Sequence, residues 1–354
     1  MKLFLCGDVM TGRGVDQILP SPCDPALDEP WVKSALDYVT LAEQASGPIP
    51  RGVDPAYVWG EALAELERER PDARIVNLET AVTTSAERAA KGINYRMSPA
   101  NAACLAAARI DCCVLANNHV LDWGRKGLEE TLDTLHALGM ATAGAGRNAG
   151  QAHAPARIGE RLLVFAFGME SAGVPADWAA GTAQPGVSFL PDLSAQTTDA
   201  VADLIFATKR DGDRVVVSMH WGSNWGYEVA RQKKSFARRL IDAGAADLVH
   251  GHSSHHPRPL EIYRERLILY GCGDFLNDYE GIAGHEEFRS ELALMYFATL
   301  DEGRLAQLTL APMRIARFRL QRASDEEAGW LAARLSDESR IPVERLPGGR
   351  LRVR

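Results

Sequence analysis

The chain has 354 residues, 46% of them hydrophobic and 24% charged, which is ordinary globular composition with ample apolar side chains for a core. Its formal net charge of −8 argues against a nucleic-acid partner, which favours a basic face. It leaves anionic substrates open, because a bound divalent cation reverses the local field. No segment is long and apolar enough to span a bilayer.

Met1 to Asp8 reaches a charge too early for a secretory signal, so a cytoplasmic protein with no membrane partner is expected. The six cysteines show no CxxC spacing and are expected to pack in the core rather than hold zinc.

In chain order, the first strand is expected at residues 3–6, ending in Gly7-Asp8, and an irregular stretch follows over 11–30. Helix periodicity over 58–69 leads to a strand at 74–78 that ends in Asn77-Leu78-Glu79. A helix at 101–109 precedes a strand at 111–116, which runs into Asn117-Asn118-His119. A helix at 126–138, a strand at 161–167 and a second irregular stretch at 171–191 come next. Long irregular stretches of this kind are expected to wall a cleft.

A helix at 198–209 leads to a strand at 214–219, which exits into His220-Trp221-Gly222. A helix at 233–243 leads to a strand at 247–249, followed by His250-Gly251-His252-Ser253-Ser254-His255-His256. After a strand at 266–270, Asp274, Asn277, Asp278 and Glu280 are candidates to approach the same region.

The pattern then changes to a hairpin, 291–300 with 304–310. A capping box, Ser324 with Glu327, opens a helix through about 333, and 350–354 reads as a short edge strand. Unbroken apolar strands alternating with amphipathic helices indicate a layered α/β fold. The expected organisation is one domain over 1–315 with a C-terminal helix-strand extension, 316–354, packed on it.

Five of these strand exits present Asp, Glu, Asn or His. Ligands bind at the carboxyl ends of strands in open α/β sheets, and these residue types hold divalent cations through oxygen or imidazole. Asp8, Glu79, Asn118, His220 and His252 are therefore the candidate metal ligands, with Glu79 suited to bridge two cations. His119 and His255, with Glu79, are the candidate acid–base groups. Lys91, Asn94 and Arg96 follow the Glu79 loop, and Trp225 follows His220; these four are the candidate substrate-binding residues.

The ordered set Gly-Asp-Val-Met (7–10), Asn-Leu-Glu (77–79), Asn-Asn-His (117–119), His-Trp-Gly (220–222) and Gly-His-Ser-Ser-His (251–255) resembles the CapA family. That family of capsule and poly-γ-glutamate synthesis proteins lies in the calcineurin-like metallophosphoesterase superfamily. The resemblance covers about residues 2–297. It implies a four-layer α/β/β/α sandwich of mixed sheets with one or two cations (Mn, Zn, Mg, Ca or Fe) at the sheet edges.

Met10 departs from the histidine that phosphoesterases of the superfamily carry there, and Asn-Leu-Glu departs from their Asp-x-x-Asp. The activity so implied is a metal-dependent hydrolase acting on a phosphoester or on a γ-glutamyl or peptide amide. The alternatives are a metal-dependent peptide epimerase of the lasso-peptide type and a non-catalytic accessory protein for an anionic polymer. The partner is accordingly a small molecule, peptide or anionic polymer.

Overall fold

The computed structural model describes all 354 residues. Seventeen strands form two large sheets. The larger, ten-stranded sheet runs Val343–Arg345, Leu351–Val353, Arg304–Ile315, Leu292–Asp301, Lys2–Val9, Ala73–Leu78, Cys112–Val114, Ala141–Ala143. Asp274–Leu276 adds to Lys2–Val9, and Leu320–Arg322 to Arg304–Ile315. The half from Lys2–Val9 to Ala141–Ala143 is parallel, and the C-terminal half is antiparallel.

The seven-stranded sheet runs Phe189–Leu190, Leu162–Met169, Arg214–His220, Leu248–His252, Arg266–Leu269, Leu260–Tyr263, with Ala156–Ile158 beside Leu162–Met169. Its first five strands are parallel.

Side chains alternate across each strand, and the cores follow that alternation. Leu3, Leu5 and Ile75 from the larger sheet share one 30-residue core with Val164, Val216, Leu248 and Leu267 from the smaller. Phe4, Cys6 and Val76 point the other way, into a 44-residue core with Leu66, Leu128 and Leu132 from the helices Ala62–Glu69 and Gly124–Ala137. Val215, Val217 and Val249 do the same on the second sheet. Their 21-residue core includes Ile205 and Phe236 from the helices Ala195–Phe206 and Arg231–Asp242. Burial on both faces is why these strands read as unbroken apolar runs. The protein is a mixed α/β fold with helices on the outer face of each sheet and one, Asp325–Ser339, contributing to the core between them.

Several elements differ from the sequence reading. The stretch 58–69 is a 3-10 turn, Tyr57–Trp59, then the helix Ala62–Glu69, with Gly60 at φ 45° between them. A helix at Ala35–Ser46 was not anticipated. It carries its own capping box, Ser34 with Asp37, and buries Ala35, Tyr38, Val39 and Ala42. The tail strand, Leu351–Val353, is not the sheet edge: it pairs on both sides, and Val343–Arg345 is outermost.

Candidate metal centre

The parallel halves of both sheets deliver their carboxyl ends to one place. Asp8 ends its strand opposite Asn77 on one side and Asp274 on the other. His220 and His252 stand in register on adjacent strands of the second sheet. Single ligand-capable atoms of Asp8, His220 and His252 lie within 4.8 Å of one another, and all three side chains are buried. The imidazoles face each other Nδ1 to Nδ1 at 2.8 Å, and His252 Nδ1 is 3.9 Å from Asp8 Oδ1. His220 Nε2 reaches Asn118 Oδ1 at 2.9 Å and Glu79 Oε1 at 3.9 Å. Asp8, Glu79, Asn118, His220 and His252 thus come together as one cluster.

Burial and repulsion make this cluster costly as bare protein. The Asp8 carboxyl is held well above the carboxylate range, first by burial and then by neighbouring Asp274. Glu79 is raised by burial and by Asp8 and Asp274. Burial pushes His220 and His252 down, so both imidazoles are neutral. Neutral imidazoles facing buried carboxylates form the donor set a divalent cation requires. The contacts to Asp8 are aimed: Asn77 Nδ2 donates to Oδ1 at 2.7 Å, and the Ser253 backbone N–H donates to Oδ2 at 3.1 Å. Ser253 makes that bond at φ 91°, a strained position for a residue with a Cβ.

Two histidine–carboxylate pairs flank the cluster. His119 Nδ1 is 2.6 Å from Asp122 Oδ2, and its Nε2 is 3.8 Å from Glu79. Burial brings His119 down to about 4 despite Asp122, so it is neutral at pH 7. His255 Nδ1 lies 3.0 Å from Asp274 Oδ1, and its Nε2 meets Asn224 Nδ2 at 2.9 Å. Burial alone would lower His255, but Asp274 outweighs it and the pKa is raised. A tyrosine pair connects the two sides. Tyr95 packs edge-on to His119, Tyr279 packs edge-on to His255, and Tyr95 Oη donates to Tyr279 Oη at 2.8 Å.

The remaining candidates divide. Lys91 donates to the Asn118 carbonyl and pairs with Asp122 at 2.7 Å, so it braces the Asn118–His119 turn. Asn94 donates to the Ala89 and Asp122 carbonyls. The Arg96 guanidinium stacks on Trp123 at 3.8 Å and donates to the Ser85 carbonyl, which ties it to the loop rather than to the cluster. Trp225 lies beside His255 and stacks on His285 at 3.9 Å. With Arg13, Tyr38, Asn277 and Tyr279 it lines a cavity of about 460 Å³ that opens on His255.

Both long irregular stretches reach this region: Arg13 lies in the cavity wall, and Ser171 Oγ accepts from the Gly222 N–H at 3.1 Å. Of the four polar residues after the strand at 266–270, Asp274 and Asn277 join the site. Asp278 instead pairs with buried Arg13, and Glu280 binds the backbone of Arg317 and Phe318. Asn77, Asp122 and Ser218 were given no role from sequence. Asp122 alone had a local signal, its i,i+3 spacing from His119.

The sequence matches the family described as bacterial capsule synthesis protein PGA_cap over residues 2–279. A protein of Mycobacterium tuberculosis named as a probable polyglutamine synthesis accessory protein is 50% identical over 339 residues, covering 94% of this chain and 89% of its own. The PGA biosynthesis protein CapA of Bacillus subtilis is 27% identical over 276 residues, 77% of this chain and 62% of its own. The capsule biosynthesis protein CapA of Bacillus anthracis is 30% identical over 166 residues, 46% of this chain and 39% of its own. The motifs at the strand exits lie within the matched span, and the chain belongs to the PGA_cap (CapA) family.

Proposed function

We propose that this chain is a divalent-metal-dependent hydrolase of the metallophosphoesterase type, acting on a γ-glutamyl or peptide amide in the making or trimming of a glutamate polymer. The buried convergence of Asp8, His220 and His252 carries this reading. The names of the relatives, polyglutamine and PGA synthesis, favour the amide over a phosphoester. Three cores, one between the sheets and one outside each, support the α/β/β/α layering that belongs to it.

Asp8, Glu79, Asn118, His220 and His252 would hold the cation, which when bound supplies Lewis acidity toward a substrate oxygen. The protein's own groups do the rest. His119 is neutral, with Nδ1–H donated to Asp122, and so offers Nε2 as a base beside Glu79. His255 is biased by Asp274 to carry a proton and offers it as the acid at the cavity mouth. Trp225 and Tyr279 give the substrate an apolar wall.

A second reading is a peptide epimerase, and the observation favouring it is that two separate histidine–carboxylate pairs flank the cluster. An accessory role, as the Mycobacterium relative is named, keeps the cation site without turnover.

Elemental analysis of the purified protein should find bound divalent metal, and Glu79→Ala should lose it. Unchanged stoichiometry in Glu79→Ala sinks the ligand assignment. Incubation of the metal-loaded protein with poly-γ-glutamate and peptide amides in deuterated water separates the reactions. Released amine supports hydrolysis, deuterium at Cα without cleavage establishes epimerisation, and neither product at saturating metal favours the accessory role.

A further inference from the structure

The turn that follows His220 closes one side of a cavity of about 600 Å³ that none of the cluster residues lines. Two cations do line it, Lys233 and Arg258, at 8% and 4% exposure. Lys233 Nζ donates to the Trp221 carbonyl at 3.1 Å and occupies the space that a Cβ on Gly222 would take. Arg258 Nη1 donates to the Glu228 carbonyl at 3.0 Å. Its Nη2 donates to the Ser223 and Trp225 carbonyls at 2.8 and 2.9 Å and to Ser223 Oγ at 3.0 Å. Arg258 Nε, also buried, has no partner.

All of these acceptors are neutral oxygens, so two buried positive charges line one cavity without a counter-charge. Buried Arg13 is the contrast, with Asp278 and Glu29 both on its guanidinium. An unpaired buried charge is costly, and Lys233 is pushed down to about 7 by burial and then by Arg258. The helix Arg231–Asp242 adds to the positive field, because it opens at this cavity with no side-chain cap and no acid in its first turn. Its first N–H groups, of Arg231 and Gln232, donate to no protein acceptor.

The carboxylates in the cavity wall do not supply the missing charge. Asp192 Oδ1 accepts from the Ser194 N–H and from Thr197 Oγ1, and Glu170 and Glu228 are exposed and pair with no cation. They place negative charge at the rim, which repels an extended polyanion while one compact oxyanion reaches the cations inside.

We propose that this cavity is a binding site for a single compact oxyanion, a phosphate or carboxylate group, held by Lys233, Arg258 and the N-terminus of the helix Arg231–Asp242. Charge-assisted bonds from the two side chains and the free N–H groups suit such a ligand. The site is separate from the metal cluster and does not depend on it. Both cations also grip the turn 221–228, which carries Trp225 into the substrate cavity and Asn224 onto His255, so an anion here clamps that turn in place.

The test is calorimetric titration of the purified full-length protein at pH 6, where the Lys233 ammonium is protonated. Inorganic phosphate is the probe in one arm and glutarate in the other. The wild type should bind at least one of them saturably, and the tighter arm tells a phosphate from a carboxylate occupant. Lys233→Met should weaken that binding by about tenfold or more, the usual effect of losing a charged donor. Exposed Gln232→Glu, which sets a carboxylate in the cavity wall, should weaken it as well. Glu79→Ala should bind the anion as the wild type does.

No saturable binding of either anion to the wild type overturns the proposal, and that result needs no variant to fold. Wild-type affinity in a folded Lys233→Met protein also overturns it, and if that variant does not fold, wild-type affinity in Gln232→Glu does so. Binding lost in folded Glu79→Ala but kept in Lys233→Met assigns the anion to the metal cluster instead. A protein that holds no metal yet binds the anion through Lys233 fails the metal reading and supports this one.

Discussion

Lys233 shows how much of the site's support is invisible along the chain. Its ammonium is buried with no carboxylate beside it, donates to the Trp221 carbonyl at 3.1 Å, and is pushed down to about 7, first by burial and then by Arg258. The unfolded chain titrates this group near 10.5, so between 10.5 and about 7 the unfolded state binds more protons. Stability from this group is therefore full above 10.5 and is lost as pH falls toward 7, at a cost on the order of a few kcal/mol. Lys233→Met should accordingly gain thermal stability over wild type at pH 6 and lose that advantage at pH 10. An equal difference at both pH values contradicts this.

His119 is the residue-scale test of chemistry. His119→Ala leaves the cluster of Asp8, His220 and His252 intact, so metal content should be unchanged while turnover of an amide substrate falls about 10²- to 10⁴-fold. Loss of metal in that variant would make His119 a ligand instead. The histidines themselves were legible because they follow strands. Their partners were only partly so: Asp274 was a candidate to approach the site, whereas Asp122 looks like any loop carboxylate until the fold sets it 2.6 Å from a ring nitrogen.

At the scale of elements, the site depends on how closely the Asp274–Leu276 strand approaches Lys2–Val9. A Cβ on Gly7 would stand 1.6 Å from the Gly273 carbonyl oxygen, a backbone atom that cannot swing away. The Asp8 N–H donates to that same oxygen at 3.0 Å. Gly7→Ala must therefore part the two strands and draw Asp274 from Asp8. It should cost about 3 kcal/mol or more, as overpacking does, and lower the melting temperature together with metal uptake. A variant with wild-type stability would show that the approach is not obligatory.

The strands of the site were readable because burial on both faces makes them continuously apolar. The Ala35–Ser46 helix, between the irregular stretch expected at 11–30 and the helix expected at 58–69, carries a capping box that is present in the sequence, Ser34 with Asp37. The pairing of the tail strand on both sides could not be read, because short strands carry no mark of which neighbours they will find.

For the whole molecule, residues 316–354 are structurally part of the larger sheet rather than an appendage to it. Leu351–Val353 pairs with Arg304–Ile315, and Leu331, Leu335, Leu351 and Val353 sit in the core shared by both sheets. Each such side chain contributes about 1.5–3 kcal/mol by burial. Truncation after Ile315 should therefore give a chain without a cooperative thermal transition, and a sharp melt from residues 1–315 alone would contradict this. No helix is long and apolar enough to cross a membrane.

The residue types at the strand exits, their order and the layered α/β class were set by the sequence itself, because strand burial and motif spacing are local properties. Which atoms meet was decided only by tertiary structure. Asp8 comes from one sheet and His220 and His252 from the other, and their convergence depends on the two sheets packing face to face over a common core. His250 Nε2 meets a carbonyl 244 positions away along the chain, at Cys6. Contacts of that span leave no periodicity to read, since they arise from how sheets stack and not from neighbours in sequence.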